Sequence, residues 1–191
     1  LQLTELKRLS DNDLIERYFS SRNSHFFELL YKRYAMKVFA KCIALLKDVT
    51  VAQDATQEIF TKVYLNLSKY GGQSKFSTWL YSITYNYCID LIRKKQKSDL
   101  LFTDDIERKL EIEDEVVDEE LLSMEVGRLK VVLEKIPDGD RAILMMKYTD
   151  DMSIVEIAEL LNKTESAVKM NILRAKEKAR AVYKTLFPYE I

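Results

Sequence analysis

With 191 residues, 47% hydrophobic and 32% charged, the chain has the length for one ordinary core or two small ones and the balance of a soluble globular protein. No apolar run approaches the roughly 18 residues that span a bilayer, and the opening LQLTELKR lacks the basic-then-apolar order of a signal peptide. Neither membrane insertion nor export is therefore expected, and the expected location is cytoplasmic.

Only four Gly and two Pro interrupt the chain, which favours an all-α fold. Cys42 and Cys88 are far apart in sequence, each inside an apolar helical pattern, and read as buried structural thiols. His25 is alone, with no second ligand at metal spacing and no nucleophile beside it. No catalytic residue, metal or cofactor is expected.

The net charge of −1 hides a sorted distribution. Residues 1–98 carry 16 Lys+Arg against 9 Asp+Glu, residues 99–120 carry 2 against 11, and residues 121–191 carry 12 against 11. A basic module, an acidic connector and a near-neutral module follow one another. Blocks of like charge are usually solvated and poorly ordered, so DDIERKLEIEDEVVDEE reads as a flexible linker between two small helical domains, 1–98 and 121–191.

In chain order, Ser10 and Asp13 form a capping pair that opens a short helix running through Phe19. A longer helix follows from about Phe26 to Lys47, with Leu30, Tyr34, Val38 and Cys42 repeating every four residues beside Phe27, Tyr31, Ala35, Phe39 and Ile43, a broad stripe expected as core. From Val51 to Leu67, Ala52, Ala55, Ile59, Val63 and Leu67 lie on one side, leaving Asp54, Gln57, Glu58 and Thr61 on the other. A polar stripe of this kind is ordinarily only a solvated face.

SKYGGQSK then breaks helicity, with Gly71 and Gly72 beside Tyr70, Gln73, Lys75 and Phe76. The last helix of this half, about Thr78 to Lys97, is expected to bury Leu80, Ile83, Tyr87 and Leu91 and to present Ser82, Tyr85, Asn86 and Arg93. It ends in RKKQK, which suits the negative end of a helix dipole. Aromatics, amides and cations beside a Gly loop equally suit single-stranded DNA, whose bases stack on rings while cations track phosphate. Both readings stand on the residues alone. Trp79, at the start of an amphipathic helix, reads as core.

In the second half Leu122, Val126, Leu129, Leu133 and Ile136 form an apolar stripe ending at Pro137, and a helix restarts over Arg141–Tyr148. SIVEIAELL, the turn NKT and ESAVKMNILRAKEKAR have the spacing of a helix-turn-helix. Ala158 is small where two helices cross, and Asn162 stands where the turn wants a left-handed backbone. The residues expected to face outward from the second helix, and so to contact DNA, are Lys169, Asn171, Arg174 and Lys178.

Together DATQEIF, FSTWLYSITYNYCIDLIRKK, IPDGDRAILMMKY and the helix-turn-helix segment resemble the extracytoplasmic function group of RNA polymerase sigma factors, in family order and at family spacing, from about Ser10 to Arg180. The resemblance implies a sigma-two domain, a linker and a sigma-four domain. It implies that Asp54, Gln57 and Glu58 dock on the clamp helices of the polymerase beta-prime subunit, and that beta and beta-prime together are the core partners. It implies that the loop of Tyr70, Gly71, Gly72, Gln73, Lys75 and Phe76 captures a flipped base of the −10 element, that Ser82 and Asn86 read its upstream part, and that the helix-turn-helix contacts duplex −35 promoter DNA. By the same resemblance Trp79 aligns with an aromatic position near the melted strand in larger sigma factors, the alternative to its core reading, and members of the group are commonly held by an anti-sigma partner.

Three positions depart from the family pattern: Asn171 replaces a basic residue of the recognition helix, Met170 a small polar one, and Tyr85 an Arg beside Asn86. Asn pairs with adenine where Arg favours guanine. A weakened −35 reader implies either a strong −10 element or a recruiting DNA-bound protein. Two rival readings are a stand-alone transcription factor, which predicts a polymerase-independent footprint, and a helical interaction module, which predicts no salt-dependent DNA affinity.

Overall fold

The computed structural model describes residues 8–96 and 126–188, and every described element is helical. The acidic segment 99–120 and Leu122 lie outside the described residues. The chain divides into two compact units, Leu1–Leu91 and Ile92–Ile191.

The first unit is built from α1 (Asp11–Ser21), α2 (His25–Leu46), α3 (Val49–Asn66), a 3₁₀ turn (Leu67–Lys69) and α4 (Phe76–Gln96), whose last turn runs past the division. Local chemistry sets the boundaries. The Asp13 amide donates to Ser10 Oγ (3.1 Å) while the Ser10 amide donates to the Asp13 carboxylate (2.9 Å), satisfying two orphan donors of α1 reciprocally. Asp48 caps α3 by accepting from the Val51 amide at 3.0 Å. Arg22 and Lys47 end α1 and α2 in left-handed conformations.

Leu30, Val38, Cys42 and Leu45 of α2 meet Ala52, Ala55, Ile59 and Val63 of α3, all essentially sealed from solvent. Each aliphatic side chain larger than alanine so buried contributes about 1.5–3 kcal/mol. The expected stripe of α3 is thus the observed one, whereas the stripe of α2 is narrower than expected: Leu30, Tyr34, Val38 and Cys42 are buried, Phe27, Ala35, Phe39 and Ile43 are half-buried, and Tyr31 is exposed.

The expected face of α4 is corrected by the structure. Ile83, Tyr87 and Leu91 are only half-buried, whereas Tyr81, Tyr85, Cys88 and Ile92 join Leu80 in the core. The spacing 81, 85, 88, 92 is itself helical, and α2 selects it. Tyr34 packs edge-on against Tyr81 (6.3 Å), Lys41 Nζ lies 4.2 Å from the Tyr81 ring centre, and Cys42 Sγ stands 3.7 Å from Cys88 Sγ. Tyr85, expected outward, is fully buried.

The second unit contains α5 (Val126–Lys135), α6 (Asp138–Leu144), a π-helical continuation (Met145–Thr149), α7 (Ile154–Leu161) and α8 (Glu165–Leu186). Ser153 and Glu156 form a second capping box, Asn162 closes α7 at φ 53°, and Thr164 caps α8 by accepting from the Ala167 amide at 3.2 Å. Arg141 is sunk in this core, where its guanidinium donates to Asp138 (2.5 Å) and to the Leu133 carbonyl (3.3 Å). Among the described residues no helix is long and apolar enough to cross a membrane, and no group of three or more His, Cys, Asp or Glu could hold a metal ion.

Candidate nucleic-acid and protein interfaces

Three surfaces collect the residues singled out in the sequence. On α3, Asp54, Gln57, Glu58 and Thr61 are all exposed along one face, opposite Ala52, Ala55, Ile59 and Val63. The face continues toward the helix C-terminus through Lys62 and the exposed Leu65. Tyr87 of α4 stands beside it: burial first, and then the Glu58 carboxylate, push its phenol above the ordinary range.

Below the acidic residues, α3 and α4 enclose a groove of about 380 Å³ lined by Lys62, Asn66, Lys69, Trp79, Asn86 and Tyr87 among others. Lys62 Nζ lies 5.7 Å from the Tyr87 ring centre. Lys62 and Asn66 are not among the residues singled out from the sequence. Their signal was available, because 58, 62, 66 and 69 descend one face of a helix at steps of four and three. Trp79, expected in the core, is half-buried and lines this groove.

The second surface is the glycine loop. Gly72 has φ +71°, a region open to glycine and strained for other residues, and a Cβ there would meet nothing within 4 Å. Gln73 and Lys75 are exposed. Tyr70 is half-buried, its ring packed on Phe76 (5.6 Å) and Trp79 (5.4 Å). Phe76 is only 2% exposed and is held edge-on by Tyr34 at 5.5 Å, so it supports the loop from beneath instead of being offered to a base. Ser82 donates internally to the Trp79 carbonyl at 2.7 Å, Asn86 is exposed, and Arg93 is half-buried near the basic end of α4.

The third surface is the face of α8. Lys169 is exposed and Arg174 half-buried; Lys178 is exposed but paired with Asp140 at 2.7 Å. Asn171 does not face outward as expected. It is 8% exposed, and its Nδ2 is buried with no hydrogen-bond partner. The reason is helical spacing: Val168, Asn171, Ile172, Ala175 and Ala179 form one buried stripe, which places Asn171 inward. Ser166, in the first turn, is exposed and was missed; it lies one turn before Lys169, on the part of a recognition helix that ordinarily meets base edges.

Comparison with known proteins assigns the class. The Sigma-70 region 2 model matches residues 30–98 and the Sigma-70 region 4 model matches residues 127–178. The ECF RNA polymerase sigma factor SigW of Bacillus subtilis is 34% identical over 155 residues, covering 77% of this chain and 83% of that protein. The ECF RNA polymerase sigma-E factor of Escherichia coli K12 is 29% identical, covering 90% of this chain and 93% of the relative. Two solved structures share the fold: CnrH in complex with the cytosolic domain of CnrY (TM-score 0.61, 22% identity, 92% of this chain and 97% of that one), and the sigma factor RpoE with the anti-sigma factor NepR from Bartonella quintana (TM-score 0.59, 18% identity, 83% and 96%). The chain belongs to the ECF sigma factors, initiation factors that direct transcription as subunits of RNA polymerase.

Proposed function

We propose that the chain carries out promoter-specific initiation by dividing the work between its two halves. Residues 1–98 bind core polymerase and open the −10 element, residues 99–120 connect, and residues 121–191 contact −35 DNA. Asp54, Gln57 and Glu58 dock on the beta-prime subunit. The loop of Tyr70, Gly71, Gly72, Gln73 and Lys75 takes up an unstacked base, with Phe76 as its support, and Ser82 and Asn86 contact the strand upstream. Lys169, Arg174 and Lys178 attract phosphates of the −35 duplex.

The observation that carries this reading is the exposed polar face of α3, formed by residues with no role in the core, in the same unit as the exposed glycine loop. Base capture replaces lost pairing and stacking with contacts in the protein, which makes strand opening less costly. The sigma factor from Bartonella quintana with the same fold is seen with an anti-sigma factor, which supports an anti-sigma partner here.

Asp54→Lys with Glu58→Lys is expected to abolish co-purification with core polymerase while leaving helicity unchanged. Normal retention of the double variant would remove the docking assignment.

A second reading concerns recruitment. With Asn171 buried and Lys178 tied to Asp140, the helix offers few side chains to base edges, and phosphate contacts position without choosing sequence. This favours a promoter read mainly at −10, or a DNA-bound protein that brings polymerase to it. A transcription library randomised at −35, with only core polymerase and this subunit, is expected to return a flat −35 profile. Strong enrichment of one −35 sequence would remove the reading.

A further inference from the structure

The glycine loop is held by an element that lies outside the family match. That match begins at residue 30, whereas α1 spans Asp11–Ser21. The Tyr70 hydroxyl, at the start of the loop, lies 2.7 Å from the Ser74 carbonyl at its far side and 3.1 Å from the Asn12 side-chain amide, 58 residues away in sequence.

Asn12 is presented from a fixed base. Its neighbour Asp11 is bound by the Arg33 guanidinium and accepts from the Tyr34 hydroxyl at 2.5 Å, and Arg33 also donates to the Leu9 carbonyl at 2.9 Å. Tyr34 in turn packs on Phe76, and Phe76 on Tyr70. Aromatic contacts below and a hydrogen bond at the side therefore meet on one tyrosine. Burial and the nearby Asp11 charge raise its phenol above the ordinary range, which keeps the hydroxyl protonated and able to donate.

A hydroxyl has one proton, so it cannot donate to both the Ser74 carbonyl and the Asn12 oxygen. The arrangement that satisfies all three groups has Tyr70 donating to Ser74 while the Asn12 amide nitrogen donates to the Tyr70 oxygen, which turns the amide end for end.

We propose that α1 acts as a latch on the glycine loop, with Asn12 a positioning residue that works through Tyr70 to hold the loop in the shape that receives a −10 base. The role in opening rests on the loop assignment made under Proposed function. The latch itself does not.

The test uses the full chain with its core polymerase on a duplex promoter. Asn12→Ala should slow open-complex formation about fivefold, the equivalent of one net hydrogen bond, while polymerase binding is unchanged. A pre-melted template should restore most of the rate. Asn12→Asp should fare no better than Asn12→Ala, because a carboxylate cannot donate and would compete for the single proton. Asn12→Ala combined with Tyr70→Phe should be no slower than Tyr70→Phe alone. Backbone hydrogen exchange at Tyr70, whose amide donates to the Leu67 carbonyl at 3.1 Å, should quicken in Asn12→Ala at unchanged thermal midpoint. Native exchange at that amide, or additive effects in the double variant, would overturn the latch. If Gly72→Val opens duplex DNA at the native rate, the loop assignment fails instead, and the exchange result still decides the latch.

Discussion

Gly71 and Gly72 look alike in the sequence and are not alike in the fold. Gly72 sits at φ +71°, whereas Gly71 has no positive φ and a Cβ on it would meet only Gln73 Cγ at 3.9 Å. Gly72→Ala is therefore expected to strain the loop by about 1 kcal/mol and slow promoter opening, with Gly71→Ala close to neutral. Comparing the two rates of permanganate reactivity checks this, and equal rates would show that backbone freedom at 72 is not needed. Asn171 makes a second residue-scale case. A buried amide nitrogen without a partner costs about 1–3 kcal/mol, so Asn171→Leu should raise the stability of the second unit by about 1 kcal/mol in a denaturant titration. A loss of stability would mean that the amide is satisfied in the folded protein.

At the scale of elements, the docking prediction follows from what α3 does with its two faces. Its buried face supplies the core contacts, so reversing two exposed charges would alter the proposed docking surface without removing packing; the double variant should keep its circular dichroism and lose only polymerase. The stripe of α3 and the four-residue repeat of α2 were legible because they recur at helical spacing, whereas the flanking apolar residues of α2, Tyr31 among them, carry no signal that separates them from the core set. Helix ends were legible too, since Ser10 with Asp13 at the start of α1 and Asn162 at the end of α7 are chemical signals confined to a few residues. The face of α4 was not. Leu80, Tyr81, Ile83, Tyr85, Tyr87, Cys88 and Ile89 surround most of that helix with apolar or aromatic groups, and only the packing of Tyr34, Lys41 and Cys42 decides which set goes inside. The same limit hid the burial of Phe76. Asn171 was a different failure: its polar side chain outweighed a spacing that already placed it between Val168 and Ala175 on the buried stripe.

At the scale of the whole molecule, the two DNA-contacting surfaces proposed on separate units would gain affinity when polymerase fixes their separation, because the second contact would then form at high effective concentration. Alone, each has only a few groups for DNA, and Lys178 is already engaged with Asp140. Promoter choice should accordingly belong to the assembly and not to the free chain. The most direct test is transcription of fragmented genomic DNA by purified core polymerase with and without this protein, with start sites mapped. The account predicts discrete new start sites, appearing only when both components are present and sharing a sequence at −10. No new start sites with both components, or site-specific DNA binding by the chain alone, would contradict it.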